Sequence, residues 1–274
     1  MEKITEQPSQ YRQLEKMTVS EITTCINRED QGVAWAIEKA LPQIDTLIME
    51  ALTRLKNGGR FFYIGTGSGG RLSVLDVIEL PTTYGVPKGI FQTILAGGID
   101  RLPEAPEEME DDIEAGWKML QAEKVSGSDF VVGISASGTT PFVLAALEVC
   151  RRNGIATGCI VSNPSSPIAA ESDFPVEVIT GPEFLTGSTR MKCGTAQKMI
   201  FDMISTTVMI QLGKVEDNCM VNMRLLNEKM VDRSVRMLME KGDLPDYDEA
   251  KRILLESGSV KNALDQLRDI KKEG

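Results

Sequence analysis

The sequence predicts an α/β protein in which a parallel sheet is flanked by helices in three layers, α-β-α, and is followed by a small helical C-terminal unit. Between residues 60 and 212, short apolar runs typical of buried strands alternate with amphipathic helical stretches. Strands that are apolar on both faces indicate a parallel sheet covered on both sides. After Gly213 the strand-like runs stop and only helical patterns follow.

The N-terminal region predicts a long amphipathic helix. Residues 1–28 are polar with short helical signals, and Thr18 and Glu21 have the spacing of a capping box. Residues 29–56 carry apolar side chains at intervals of three and four, and the Asn57-Gly58-Gly59 sequence ends the pattern. Because Pro42 interrupts it, we expect a kink or a division into two helices.

The centre of the chain alternates between strands and helices. Predicted strands cover residues 60–64, 91–96, 129–134, 156–161 and 176–179, and predicted helices cover residues 69–79, 107–122, 140–152 and 189–212. Further helices are predicted over residues 218–240, 246–257 and 259–271. Ligands of such sheets bind beyond the carboxyl ends of the strands, so the loops that follow the strands are the first candidates for a site.

The composition excludes several classes of function. The formal net charge of −10 over 274 residues argues against a nucleic-acid partner, which requires a basic surface. No apolar run approaches the roughly 20 residues of a membrane helix, and the N-terminus lacks the apolar core of a signal peptide. Five scattered cysteines without a C-x-x-C pair indicate a reduced, cytoplasmic protein without a disulfide framework or a zinc site.

The chain contains no histidine. This removes the usual general base, the usual hydrolase triads and the commonest metal ligand. Proton transfer near neutral pH must therefore depend on carboxylates, lysine, tyrosine, cysteine or water.

Two loops rich in glycine and hydroxyl groups each follow an apolar strand, and we call them loop 1, residues 65–71, and loop 2, residues 135–141. A strand that passes through such a loop into a helix directs backbone N–H groups at one point, which favours phosphate. The pair therefore predicts a small phosphorylated substrate, and its candidate ligands are Thr66, Gly67, Ser68, Gly69, Arg71, Ser135, Ser137, Thr139 and Thr140.

Each loop has a simpler interpretation. Glycines fit tight turns without any ligand, and one hydroxyl suffices to cap a helix. Loop 1 also matches the dinucleotide fingerprint G-x-G-x-x-G, but the second strand ends in Gly97-Gly98, without the acidic residue that would bind a ribose. A dinucleotide is therefore the weakest interpretation.

A third polar cluster lies at residues 186–192, where the last central helix begins. Ser188 or Thr189 could simply cap that helix. Arg190 and Lys192 are unfavourable there because the helix dipole is positive at its N-terminus. A bound anion would resolve the conflict, so Ser188, Arg190 and Lys192 are candidate phosphate ligands. A carboxylate such as Glu183 would resolve it equally well.

Two kinds of carboxylate are candidates for acid–base chemistry. Glu79 lies among apolar residues at the C-terminal end of the helix after loop 1. The dipole disfavours its charge there, so a partly buried carboxyl with a raised pKa is expected, although a solvent-facing side chain is the alternative. Residues 104–114 form an acidic run that most often would be a solvated helix face.

These motifs resemble the sugar isomerase (SIS) domain, and within that group the chain is most similar to bacterial N-acetylmuramic acid 6-phosphate etherases. The resemblance covers nearly the whole chain. The motif most specific to this branch is Thr186-Gly187-Ser188-Thr189-Arg190-Met191-Lys192 with Gly194-Thr195-Ala196-Gln197-Lys198. Others are Lys3-Ile4-Thr5-Glu6, Glu29-Asp30, Gly58-Gly59-Arg60, Leu75-Asp76-x-x-Glu79-x-Pro81, Glu110-Asp111, Ala136-Ser137-Gly138 and Ser162-Asn163-Pro164.

The resemblance implies a fold and a reaction. It implies a helical arm over residues 1–54, an SIS phosphosugar-binding domain over 55–217 and a helical region over 218–274. The family cleaves the D-lactyl ether of N-acetylmuramic acid 6-phosphate to N-acetylglucosamine 6-phosphate and D-lactate, a lyase reaction of amino-sugar catabolism and cell-wall recycling. It proceeds by elimination and then water addition, and the resemblance implies no metal or redox cofactor. The acid falls on Glu79 and the base on Glu110, and a homodimer is expected.

The chain departs from the family pattern in loop 1. That loop usually reads Gly-Ala-Gly-Thr-Ser-Gly-Arg, whereas this chain has Ser68 and Gly69, so one phosphate hydroxyl is missing. Val77-Ile78 replaces the usual Ala-Ser before Glu79, and Thr139 stands where many members have arginine. Two alternatives therefore stay open: an aldose–ketose phosphosugar isomerase and a non-catalytic phosphosugar sensor like the related glucokinase regulatory protein.

Overall fold

The computed structural model describes residues 3–104 and 106–273. The chain divides into two compact units. The first unit consists of Met1–Val77 and Gly89–Ile204, and the second of Ile78–Lys88 and Ser205–Gly274. Two helices, α2 (Gly67–Tyr84) and α6 (Lys192–Gln211), contribute residues to both units.

A single parallel sheet forms the centre of the first unit, which confirms the predicted α/β class. Within the described residues it has five strands in the order β2-β1-β3-β4-β5. They are β1 (Phe61–Gly65), β2 (Phe91–Leu95), β3 (Phe130–Ser135), β4 (Ala156–Val161) and β5 (Phe174–Glu177). Strands β1 and β3 are neighbours, and Gly65 pairs with Ile134. Because both strands point the same way, loop 1 and loop 2 lie side by side at one edge of the sheet.

Helices cover both faces of this sheet. On one face Phe62, Ile64 and Val131 pack in a core with α3 (Ala115–Ala122), α4 (Pro141–Arg152) and α5 (Pro167–Ala170). On the other face the Tyr63 ring lies 4.9 Å from the Phe201 ring of α6, and α1 (Val19–Lys56) packs against β1, β3 and β5. Strands β1, β3 and β4 are buried along their whole length, which is why they read as continuous apolar runs.

Helix α1 is longer than the sequence indicated. It begins ten residues earlier, at Val19, and the predicted capping box of Thr18 and Glu21 is present. It also runs through Pro42 as one helix. The proline removes one backbone hydrogen bond, but the buried Ile37 and Ile44 on either side of it pack into the core and hold the two halves together.

The acidic segment predicted as one helix over 107–122 is divided. A 3₁₀ turn covers Glu107–Asp111, and α3 begins only at Ala115. The Asp112 carboxylate accepts hydrogen bonds from the backbone N–H groups of Glu114 and Ala115, each at 2.9 Å. A side chain that satisfies these donors starts a new helix, and the turn before it is free to present Glu110 separately.

The second unit is helical, as predicted. It contains α7 (Glu228–Gly242), α8 (Tyr247–Ser257) and α9 (Val260–Glu273). The segment 218–227, predicted as the start of a helix, is not helical; the Asn227 side chain accepts from the Met230 N–H at 2.9 Å and caps α7 there. The core of this unit consists of Val221, Val235, Leu238, Ala250, Leu254, Val260, Ala263 and Leu264.

Candidate active site

A cavity of about 180 Å³ lies in the first unit, where loop 1 and loop 2 meet. Loop 1 and loop 2 supply most of its lining, and Glu110 joins them from the 3₁₀ turn. The structure thus brings together most of the residues that the sequence singled out. The lining residues are Glu6, Thr66, Gly67, Ser68, Gly69, Glu110, Ile134, Ser135, Ala136, Ser137, Thr140, Gly187, Thr189 and Gln197.

Glycines give loop 1 its shape. A Cβ on Gly65 would lie only 3.1 Å from the Gly70 Cα, and a Cβ on Gly70 would lie 2.8 Å from the Gly65 carbonyl carbon. Gly67 has a φ of 52°, in the left-handed region. Helix α2 begins at Gly67, and its first hydrogen bond is donated by Gly70 N–H to the Thr66 carbonyl at 2.9 Å. The N–H groups of residues 67–69 precede that bond, and they provide the donors that favour an anion.

The hydroxyls of loop 2 form a connected network. Ser135 Oγ lies 2.8 Å from Thr140 Oγ1 and 3.2 Å from Ser137 Oγ. The Thr139 hydroxyl donates to Ser137 Oγ at 3.2 Å, but Thr139 is not one of the residues that line the cavity. Thr140 precedes α4 without capping it through its side chain. A simple helix cap therefore does not account for these hydroxyls.

Glu110 occupies a half-buried position beside loop 1. Its Oε1 lies 3.1 Å from the place where a Cβ on Gly67 would be. Burial raises the pKa of the Glu110 carboxyl above its usual value. The hydrogen bond from the Thr66 side chain and the positive charge of Arg71 lower that pKa, while the charge of Glu107 raises it. The result is a more basic carboxylate that still has two neighbours favouring its charged form.

The N-terminal segment contributes to the site, which the sequence reasoning did not assign to it. Glu6 lines the cavity. Thr5 and Asn163 exchange two hydrogen bonds, Thr5 N–H to Asn163 Oδ1 at 3.2 Å and Asn163 Nδ2 to Thr5 Oγ1 at 2.9 Å. Asn163 Nδ2 also donates to the Ser137 carbonyl, and Lys3 Nζ donates to Thr139 Oγ1 at 3.0 Å. The signal available in the sequence was the Lys3-Ile4-Thr5-Glu6 motif.

The third polar cluster, residues 186–192, does not have the arrangement expected of a phosphate-binding site. Lys192 is buried, and its Nζ lies 2.6 Å from Glu29 Oε2. Glu183 accepts from the backbone N–H groups of Lys192 and Cys193 at 2.8 and 2.9 Å, so the carboxylate alternative explains this helix start. Arg190 is exposed, and the lining includes Thr189 but neither Ser188, Arg190 nor Lys192. A phosphate-binding role for those three residues thus has no support from the cavity.

Glu29 is held in its charged form by this arrangement. Burial acts to raise the pKa of the Glu29 carboxyl, but the hydrogen bonds from Lys192, Tyr11 and Gln10 outweigh it and lower the pKa below its usual value. The Tyr11 hydroxyl donates to Glu29 Oε1 at 3.0 Å. Lys192 and Glu29 are therefore best understood as a buried ion pair that joins α1 to the start of α6.

Glu79 does not have the burial that the sequence suggested. It lies in the segment of α2 that belongs to the second unit, and its side chain is exposed. The flanking Leu80 takes the buried position, whereas Ile78 is also exposed, so the apolar neighbours do not enclose the carboxylate. The solvent-facing alternative describes this residue.

The described residues contain neither a membrane-spanning helix nor a cluster of metal-binding side chains. None of the helices combines the length and the apolar character needed to cross a membrane. Within residues 3–104 and 106–273, cysteine and carboxylate side chains form no group of three or more that could hold a metal ion.

Known proteins are similar to this chain in sequence and in fold. Residues 43–151 match the model of the glucokinase regulatory protein N-terminal SIS domain, and residues 100–207 match the SIS domain. Among solved structures, a phosphoheptose isomerase from Neisseria gonorrhoeae has a TM-score of 0.54 at 15% identity, covering 70% of this chain and 98% of its own. One from Francisella tularensis has a TM-score of 0.53 at 16% identity, covering 73% of this chain and 100% of its own.

The parallel sheet, together with the adjacent glycine- and hydroxyl-rich loops 1 and 2, is the arrangement of an SIS-domain protein. Three relatives are far closer in sequence, and each is named an N-acetylmuramic acid 6-phosphate etherase. The one from Bacteroides fragilis is 53% identical over 96% of this chain and 93% of its own. Those from Bacteroides thetaiotaomicron and Porphyromonas gingivalis are 52% identical, each over 97% of this chain and 96% or 97% of their own. The chain belongs to the N-acetylmuramic acid 6-phosphate etherase family.

The Thr66 hydroxyl is expected to set the protonation of Glu110. Thr66→Val removes the hydrogen bond that favours the carboxylate, so the pKa of Glu110 should rise further. Thr66→Ser keeps the hydroxyl and should leave the pKa close to that of the unmodified protein. An NMR titration of ¹³C-labelled glutamate carboxyls measures both. Equal Glu110 titrations in the two variants would contradict the assignment.

The Lys192–Glu29 pair is expected to act on stability. Lys192→Met leaves the largely buried Glu29 carboxylate without its counter-charge, with only the hydrogen bonds from Tyr11 and Gln10, and should lower the free energy of unfolding by about 3–5 kcal/mol. Adding Glu29→Gln should recover most of that loss, because no buried charge then remains. Lys198→Met, which breaks the exposed pair with Asp202, should cost less than about 1 kcal/mol. Urea unfolding measures all three, and equal losses for Lys192→Met and Lys198→Met would refute the buried-pair interpretation.

Proposed function

We propose that this protein cleaves the D-lactyl ether of N-acetylmuramic acid 6-phosphate and releases N-acetylglucosamine 6-phosphate and D-lactate. With the sugar ring open, the C1 aldehyde acidifies the C2 proton. A base removes that proton, and lactate leaves from C3 as a double bond forms between C2 and C3. Water then adds across the double bond. Family membership at 52–53% identity over nearly the full chain supports this reaction.

The single observation that carries the mechanism is the position of Glu110. It is a half-buried carboxylate with a raised pKa in the same cavity as both loops. A general base is most effective when its pKa approaches the working pH, so a carboxylate made more basic by burial suits the removal of the C2 proton. The Thr66 hydroxyl and the Arg71 charge favour the ionised form that the step requires.

The phosphate is proposed to bind where loop 1 and loop 2 meet. The backbone N–H groups at the start of α2 and the hydroxyls of Ser68, Ser135, Ser137 and Thr140 would donate to its oxygens. Among the residues that the structure describes, the lining contains two carboxylates, Glu6 and Glu110, and neither lysine nor arginine. Binding of a dianion there must rely on neutral donors, and their number compensates for the missing cation.

The acid that protonates the leaving lactate is proposed to be Glu79, by resemblance to the family motif. A general acid must be protonated at the working pH. Its side chain is exposed in this structure, so the bound substrate itself would have to cover the carboxyl and exclude water from it.

Two other functions, one catalytic and one regulatory, would use similar loops. An aldose–ketose isomerase would move the C2 proton without releasing lactate, and a regulator would bind a phosphosugar without turnover. Incubation with N-acetylmuramic acid 6-phosphate, followed by an enzymatic assay for D-lactate, separates the three. Lactate release supports the etherase, whereas tight binding without lactate would favour the regulator.

Glu110→Gln should abolish the basic group while preserving its size. We expect the rate of D-lactate release to fall by about 10²–10⁴-fold, with substrate binding retained. Glu79→Gln should show a comparable loss if it is the acid. Glu108→Gln, an exposed neighbour in the acidic run, is the matched control and should be unchanged. Full turnover in the Glu110 variant would remove that residue from the mechanism.

The protein is further proposed to be a cytoplasmic homodimer. Cys25, Cys150, Cys159, Cys193 and Cys219 are all free thiols, as in a reducing compartment. On α1 the side chains of Trp35 and Met49 are 66% and 59% exposed. They are fourteen residues apart and therefore lie on nearly the same side of the helix. A large aromatic and a methionine on one helix face favour a protein partner.

Trp35→Glu places a charge on that face and should shift the protein from dimer to monomer. Light scattering after size-exclusion chromatography measures the mass over a range of concentrations. Leu226→Glu changes another apolar residue of similar exposure, 64%, and should leave the mass unchanged. If Trp35→Glu keeps the unmodified mass, this face of α1 is not the interface.

A further inference from the structure

Gln197 lines the cavity from the N-terminal part of α6, opposite loop 1. It is 2% exposed, so its side chain has little contact with solvent outside this cavity. None of the mechanistic assignments above uses it.

The carboxamide of Gln197 has no hydrogen-bond partner among residues 3–104 and 106–273. A glutamine side chain carries two donors and an acceptor oxygen with two lone pairs. Burying such a group without partners is unfavourable, and buried polar side chains are normally satisfied. The Gln197 residue is almost wholly enclosed by protein and lines the cavity, so a ligand bound there can complete the hydrogen bonds of its carboxamide.

Gly69 places this carboxamide directly over loop 1. A Cβ on Gly69 would lie 2.8 Å from Gln197 Oε1, 3.2 Å from its Cδ and 2.6 Å from Ile134 Cγ2. Any larger residue at position 69 would therefore displace the Gln197 side chain. The missing side chain at this position leaves room for the carboxamide, and the two residues form one steric unit.

The position also defines which part of a ligand the carboxamide meets. Gly69 belongs to the first turn of α2, whose free N–H groups favour an anion. The part of the lining that the structure describes has no cationic side chain, so neutral donors have to bind an anion there. No hydrogen bond fixes the orientation of the carboxamide, so its NH₂ group can turn toward the ligand.

We infer that Gln197 is a phosphate ligand, and that its NH₂ group donates to a phosphate oxygen of the substrate above Gly69. Gln197, on α6, thus provides the hydrogen-bond donor that Gly69 of loop 1 cannot provide. The identity of the sugar rests on the proposed function, but the phosphate contact does not.

The test uses the full chain and two probes, inorganic phosphate and N-acetylglucosamine 6-phosphate, in titration calorimetry. Gln197→Met keeps the length of the side chain and removes its donors, and it should weaken both affinities about tenfold, as expected for a hydrogen bond to a charged group. Gln197→Glu adds a negative charge and should weaken them further. Gln121→Met, at an exposed site on α3, is the control and should bind as the unmodified protein does.

Thermal unfolding separates a ligand role from a structural one. Without ligand, Gln197→Met should be as stable as the unmodified protein or more stable, because an unpaired buried amide is removed. With N-acetylglucosamine 6-phosphate present, its gain in Tm should be smaller. A lower Tm without ligand, or unchanged affinity for both probes, would overturn the inference. So would an unmodified protein that binds neither probe.

The outcome is distinguishable from that of the proposed reaction. If the unmodified protein releases no D-lactate and Gln197→Met still loses phosphate affinity, the inference holds and the reaction fails. If D-lactate is released, Glu110→Gln stops it and Gln197→Met binds phosphate normally, the reaction holds and the inference fails. Weaker binding of N-acetylglucosamine 6-phosphate with unchanged binding of phosphate would place Gln197 on the sugar and would also overturn it.

Discussion

The close approach of Gly65 and Gly70 is the constraint on which the site depends. Strand β1 ends, and helix α2 begins, with their backbones in direct contact, since a Cβ at either position would meet the other residue within about 3 Å. This contact brings the unpaired N–H groups of α2 up against the end of the sheet. The parallel pairing of β1 with β3 then sets loop 2 beside them. A side chain at either glycine would separate the start of α2 from the end of β1, and loop 1 would no longer line the cavity as it does.

The electrostatics of the cavity follow from what surrounds it. Its lining, as far as the described residues go, contains carboxylates and hydroxyls but no cationic side chain, in a chain with a net charge of −10. Arg71 acts from nearby on the Glu110 carboxylate. A strong positive charge in the lining would hold a phosphate more tightly, but it would also make Glu110 less basic. In the proposed reaction, neutral donors would bind the anion with less effect on the basicity of Glu110 than a cation in the lining would have, so the two requirements of the site are compatible.

The sequence predicted the sheet and the loops because their signals are local. Apolar runs that end in glycine and hydroxyl residues define β1, β3 and the two loops within a few residues of their bounds. What could not be predicted depends on contacts across the chain. The burial of Lys192 against Glu29 joins residues 163 positions apart, and the exposure of Glu79 depends on how α2 packs. Glu6 and Gln197 line the cavity although neither lies in a recognisable binding motif, and only Lys3-Ile4-Thr5-Glu6 and Gly194-Thr195-Ala196-Gln197-Lys198, as family motifs, gave any indication of them.

The N-terminal segment has a consequence for how the protein is made. Its residues are synthesised well before their partners, since Thr5 forms its bonds with Asn163, and Ser9 Oγ donates to the Phe184 carbonyl at 2.6 Å. Gln197, still further along the chain, also lines the cavity. The separation between this segment and these two partners is 158 residues for Thr5 and 175 residues for Ser9. Contacts of such long sequence separation form late in folding, so the sheet should be assembled before the cavity is closed and able to bind.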